Sequence, residues 1–224
     1  ITAYTANSNG SISGLGNEAV NVNSGTASTS QANALAADTS AVVTATISDG
    51  DMATLAGLTE TGNAYTITIT DNSVAAAALN TLDGKTSVAI NASNITTLTG
   101  AAADLNTAYA SSGISGLNNE AVTLSDTSLS ASVLNTLDSN TSGTINASSI
   151  DTLSGAAADL NTAYTSAGIS GLSDEAITLT DTSLAASILN ALDGHTSGTI
   201  NAGSINTLSG TAADLINAYA SSGI

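Results

Sequence analysis

The stretch Ala121–Glu175 reads AVTLSDTSLSASVLNTLDSNTSGTINASSIDTLSGAAADLNTAYTSAGISGLSDE and is followed at once by a near copy of itself. Aligning 121–169 with 176–224 gives about 35 identities in 49 positions, so self-similarity at a fixed period comes before any other reading. Residues 64–120 are an earlier copy and 1–63 an irregular one, which makes 1–224 a single repeat array with repeats at about 64–120, 121–175 and 176–224. A stack of like units has no single central core, so the length sets no domain count.

Inside the 55-residue unit, short runs alternate apolar and polar residues with period two, the mark of a strand with one buried face. The apolar residues ending these runs are Val22, Ile47, Ile69, Ile90, Leu124, Ile145, Leu179 and Ile200. In the later copies their spacings alternate between 21 and 34, which predicts a short and a long coil per repeat. Each short coil then shows a helical pattern. Asp181 is a candidate N-cap, Leu184, Ile188, Leu189 and Leu192 fall at helical spacing, and Gly194 can close the C-terminus. The matching sets are Leu129, Val133, Leu134 and Leu137, and Val74, Ala78, Leu79 and Leu82. Each long coil carries a second helix, with Leu153, Ala157, Leu160 and Tyr164 on one stripe.

One strand and one helix per coil, in constant order, predicts parallel strands in a shared sheet with helices along its other side. The expected fold is a parallel α/β solenoid, similar in layout to leucine-rich repeats, with about eight coils and a sheet of roughly 35 to 40 Å. Inward positions are Ile67 and Ile69, Val88 and Ile90, Val122 and Leu124, and Ile177 and Leu179. Outward positions carry Thr46, Thr68, Thr70, Thr123, Ser125, Thr144, Asn146, Thr178, Thr180, Thr199 and Asn201, which predicts a flat, uncharged two-column ladder. Such a ladder resembles the regular Thr faces of ice-binding and crystal-surface-binding solenoids. Equally, Thr, Ser and Asn suit any solvent-facing strand.

The net charge of −17, from 18 acids against the single base Lys85, excludes nucleic acid and anionic membranes as partners, since both need clustered Lys or Arg. The absence of Cys excludes disulfides and thiolate metal sites. No run is apolar and long enough for a membrane span. The chain opens partway into a repeat, Thr2-Ala3-Tyr4 matching Thr162-Ala163-Tyr164, which reads as a segment of something longer.

Candidate chemistry is sparse. His195 fills the turn slot held by Asn140 and Lys85 in other copies, which reads as a variable turn rather than a catalytic group. The acids recur by register, and Asp71, Asp126, Asp181, Glu120 and Glu175 are the candidate oxygen ligands for calcium. The calcium nonapeptide of β-rolls is absent, and like acids recur only every second coil, so capping and solvation account for them more simply. Tyr4, Tyr109, Tyr164 and Tyr219 share one register and read as boundary residues of the second helix.

The phrases NAYTITITD, LNTLDGKTS, INASSIDTLSGAAADLNTAY and GISGLNNEAVTLSDTSL resemble modules repeated many times in very large secreted or cell-surface proteins of aquatic bacteria, cyanobacteria among them. The Ala, Thr, Ser, Asn and Gly richness is also similar to that of bacterial surface-layer proteins, and TAADL with LDG resembles phage tail-fibre repeats. The resemblance implies an extracellular structural or adhesive role, and nothing in the sequence rises to a catalytic motif. The expected partner is the protein itself, through head-to-tail association or neighbouring repeats. A binding module using the Thr/Ser/Asn ladder for ice, mineral or polysaccharide is the alternative.

Overall fold

The computed structural model describes residues 2–224, with side chains from Thr5 onward. The fold is α/β. Short strands alternate with short helices, and every described register is parallel. The chain divides into two compact units, Ile1–Leu98 with Thr107–Leu117, and Thr99–Asn106 with Asn118–Ile224.

In the second unit, Val122 lies beside Ile145 and Ile145 beside Ile169. A second row runs Leu129, Leu153, Ile177, Ile200. A third pairs Leu184 with Leu208. Neighbours in these rows are 23 or 24 residues apart. In the first unit Val20 pairs with Val43, Ala45 with Tyr65, Thr68 with Asn91, and Ile90 with Ile114. There the step is 20 residues between Ala45 and Tyr65, matching the irregularity of the first repeat.

These registers correct the alternation of 21 and 34. Ile145 lies beside Val122 rather than Leu124, and its other neighbour is Ile169 rather than Leu179. Among the missed strands, Ile114–Ser115 and Ile169–Ser170 have two residues each and lie in what reads as a connection. Two residues are too few to display a period. Gly171 ends the second of them at φ 86°, and a Cβ there would meet the backbone nitrogen of Ser148 at 2.8 Å.

From Ile169 the chain advances only eight residues to Ile177, which joins the row of Leu153 instead of the row of Ile145. The single shared sheet is therefore replaced by several short sheets, such as the four strands Ser128–Ser130, Thr152–Gly155, Ala176–Leu179 and Ile200–Asn201.

The helices are also shorter than expected. They start at Ala76, Ala131 and Ala186, so Val74, Leu129 and Leu184 lie on the preceding strands and leave the helical stripe. The buried stripes are Ala76, Leu79 and Leu82; Ala131, Leu134 and Leu137; and Ala186, Leu189 and Leu192. Ile188 is instead exposed. Leu153 belongs to a strand, leaving Ala157, Leu160 and Ala163 as the stripe of the Ala157–Thr165 helix. Gly194 closes its helix as expected, its N–H donating to Asn190 O.

Small Ala at the first stripe position lets each helix begin close under its strand, while Leu fills the gap beyond. Ile67, Ile69, Ile90, Val122, Leu124, Ile177 and Leu179 are buried, as the alternation requires, and Val88 is half-buried. Among the described residues no helix is long and apolar enough to cross a membrane.

Candidate functional site

The outward strand positions carry the regular polar surface that the alternation predicts. Thr46, Thr68, Thr70, Thr123, Ser125, Thr144, Asn146, Thr180, Thr199 and Asn201 are exposed, and Thr178 is half-buried. The registers break the expected ladder into short mixed rows: Thr68 with Asn91 and then Ser115; Thr123 with Asn146 and then Ser170; and Ser130 with Ser154, Thr178 and Asn201. Thr144 is thus not beside Thr123, nor Thr199 beside Thr178. The Asn side chains turn back on their own backbone. Asn91, Asn146 and Asn201 accept from the N–H of Ser93, Ser148 and Gly203 at 3.0 to 3.1 Å. Each Asn ends its strand by this local turn, which engages its oxygen with the backbone two residues on.

The carboxylates have a different task. Asp181 Oδ2 accepts the Ala157 N–H at 2.7 Å, Asp126 that of Ala102 at 2.8 Å, and Asp71 that of Met52 at 2.7 Å. Asp49 repeats the contact on Thr29 at 2.7 Å. Each Asp caps the helix one turn earlier in the chain, where an anion opposes the helix dipole. This corrects the N-cap expected of Asp181 for its own following helix, which starts instead after Ala185 without a side-chain cap.

Glu120 and Glu175 are buried. Glu175 accepts the Ser173 N–H at 3.0 Å on one oxygen and the Tyr164 hydroxyl at 3.0 Å on the other. Burial, and then the Glu175 charge, push the Tyr164 phenol far above its usual range. His195 stacks on Tyr164, with ring centroids 5.4 Å apart and planes 3° from parallel. The variable turn slot therefore faces the Tyr–Glu pair. In the same slot Asn140 donates to Asn106, and Lys85 donates to Thr59 O at 2.9 Å. The Tyr4 side chain lies outside the described residues, Tyr109 is half-buried, and Tyr219 is exposed.

Two recurrent contacts escaped the sequence reading. Ser111, Ser166 and Ser221 donate to Asp83, Asp138 and Asp193 at 2.6 to 2.8 Å, and two residues on, Gly113, Gly168 and Gly223 pass so close to those carboxylates that a Cβ would collide. Thr39, Thr141 and Thr196 donate to the backbone oxygens of Glu18, Glu120 and Glu175 at 2.6 to 3.0 Å. The signal is present in the recurring Ser-x-Gly triplets and in the Thr-Ser pairs at 39, 141 and 196. Both join residues 21 to 28 apart, and so one turn to the next.

Among the described residues no group of three or more His, Cys, Asp or Glu side chains converges as a metal ion would require. Asp71, Asp126, Asp181, Glu120 and Glu175 sit instead at helix starts and loop turns. No protein-family model matches the chain, and neither a curated protein nor a solved structure does.

Proposed function

We propose that this chain is a structural, extracellular surface protein: a segment of a rod, fibre, surface layer or giant adhesin that extends by stacking and associates with copies of itself. In this reading each unit is a stretch of parallel α/β solenoid, similar in layout to leucine-rich repeats, and carries no active site. One observation supports it above the others. The recurring polar side chains, Asp126, Asp138, Thr141, Asp181 and Thr196 among them, bond to the neighbouring turn rather than converging on a pocket. Repeat proteins of this kind gain stability from nearest-neighbour interfaces, so a polar set used for stacking is a set selected for extension. The net charge of −17 keeps nucleic acid and anionic membranes out of the partner list.

Light scattering of the 224-residue chain over a wide concentration range tests the reading. Growth of particle mass with concentration is expected; a compact monomer throughout would overturn self-association for this chain. The second reading, a face for ice, mineral or polysaccharide, draws on the exposure of Thr123, Thr144 and Asn146. It ranks lower, because the mixed rows are short and Asn146 is turned toward Ser148.

A further inference from the structure

Within the first unit the helices Met52–Leu55 and Ala76–Asp83 flank a groove of about 260 Å³. Its lining includes the buried Leu55 and Leu82, with Met52, Ala56 and Ala78 nearer the surface. Thr81 also lines it, but its hydroxyl is engaged with Ala77 O at 2.9 Å. The lining is therefore apolar but for one residue. Lys85, the single base in a chain of net charge −17, stands half-buried in the wall. Its stem can cover apolar surface while its ammonium stays near water. That ammonium donates to Thr59 O at 2.9 Å, pairs with no carboxylate among the described residues, and keeps two further N–H donors.

The groove belongs to the irregular repeat, and the later repeats show what occupies the equivalent positions elsewhere. Asp71, Asp126 and Asp181 cap Met52, Ala102 and Ala157, which puts Ala56 in register with Asn106 and Asn161, and Thr59 with Tyr109 and Tyr164. On the other helix Ala78 is in register with Val133 and Ile188, and Lys85 with Asn140 and His195. In the later repeats the larger side chains meet one another. Asn106 donates to Val133 O at 3.3 Å and receives Asn140 at 2.9 Å, and Tyr164 stacks on His195. Around residues 52–85 the same positions hold Ala56, Ala78 and Thr59, so space opens where the turn slot becomes cationic.

We propose that this groove binds a small apolar monocarboxylate, its hydrocarbon between the two helices and its carboxylate on the Lys85 ammonium. Such a site is independent of self-association. An apolar cavity of about 150 Å³ holds a benzene ring, so a groove of about 260 Å³ has room for a ring or a six-carbon chain. Charge selects the head group. An ammonium with unused donors beside an apolar wall favours a carboxylate through a short, charge-assisted hydrogen bond. Repulsion from more distant acids of the chain is screened beyond about 8 Å at physiological salt.

Met52 is the single methionine of the chain, so a carbon-labelled methionine methyl reports by NMR from the groove wall. Titration of the full chain with hexanoate is expected to move that signal saturably, with half-saturation at about 1 mM or below. Hexanol should bind roughly fivefold more weakly or worse, for want of the charged head group. Butanoate should bind about tenfold more weakly, since each methylene removed from water contributes roughly three- to fourfold. Lys85→Gln should abolish the preference for hexanoate over hexanol and leave hexanol binding unchanged. Ala56→Asn with Ala78→Ile, which introduces residues of the later repeats, should abolish the response to both ligands while the melting temperature is kept. A Met52 signal unmoved by hexanoate, or an undiminished response in the filled variant, would overturn the site. Equal affinity for hexanoate and hexanol, or a preference that survives Lys85→Gln, would overturn the carboxylate assignment. Should the filled pair fail to fold, Lys85→Gln alone decides.

Discussion

The Ala157–Thr165 and Ala212–Ala220 helices have nearly the same sequence and different surroundings. Leu160 is wholly buried and its counterpart Leu215 half-buried; Ala157 is buried and Ala212 exposed; Tyr164 is half-buried under His195 while Tyr219 faces solvent. Residue type is the same at each of these positions, so the difference comes from the turn stacked on the first helix. Their caps differ in the same sense. The first helix receives its anion from Asp181 in the following turn, whereas the second is capped from within by Thr211, which accepts the Asp214 N–H at 3.1 Å. The burial and the capping of each helix are therefore set by the turn that packs on it as well as by its own sequence.

The largest expected break in that comparison is at the leucines. Leu160→Ala removes a fully buried side chain and should cost about 2 to 5 kcal/mol, while Leu215→Ala, at a half-covered site, should cost well under half as much. Urea unfolding of the two variants measures the gap, and equal losses would show that the covering turn contributes little. Next comes Gly168→Ala, whose added Cβ collides with the Asp138 carboxylate; about 1 to 3 kcal/mol of destabilisation is expected. Gly194→Ala, where the nearest atom to a Cβ is a backbone oxygen at 3.3 Å and φ is −78°, should be near neutral in the same assay.

The smallest effect is visible only at alkaline pH. The folded-state phenol of Tyr164 ionises far above the value of 10.0 it has when unfolded, so the protonated form is favoured by folding. Its contribution is complete below pH 10 and is lost as pH rises beyond that through the folded-state value. Tyr164→Phe should flatten this alkaline decline in melting temperature. An alkaline decline that persists in Tyr164→Phe would assign it to another group.

Much of this architecture was legible in the sequence. The period-two runs located Ile67, Ile69, Val122, Leu124, Ile177 and Leu179 in the core, because burial on one side of a strand imposes strict alternation. The stacking interval was not legible, since Ile114–Ser115 and Ile169–Ser170 are too short to alternate, and the longer runs alone suggested a 34-residue coil. Helix starts were misplaced for a related reason: in Ser183-Leu-Ala, Leu184 satisfies a strand and a helix equally, and only its pairing with Leu208 decides. The carboxylates could be grouped by register but not assigned, because the helix that Asp181 caps begins 24 residues earlier and no local pattern joins them.

The eight-residue advance from Ile169 to Ile177 has a consequence for how such a chain can lengthen over generations. The two turns of a repeat are not interchangeable. Asp126 and Asp181 meet the starts of the Ala102–Ala110 and Ala157–Thr165 helices, whereas Gly155 and Gly210 lie against Ala131 and Ala186 at the starts of the others. Copying or losing one turn would set an Asp where the backbone takes φ of 152° and 155° at Gly155 and Gly210, a conformation that favours glycine, and would shift every later strand to a neighbouring row. The smallest piece that can be duplicated without a mismatch is thus the whole block from Ala121 to Glu175. The near identity of 121–169 and 176–224 is the trace that copying in such blocks would leave.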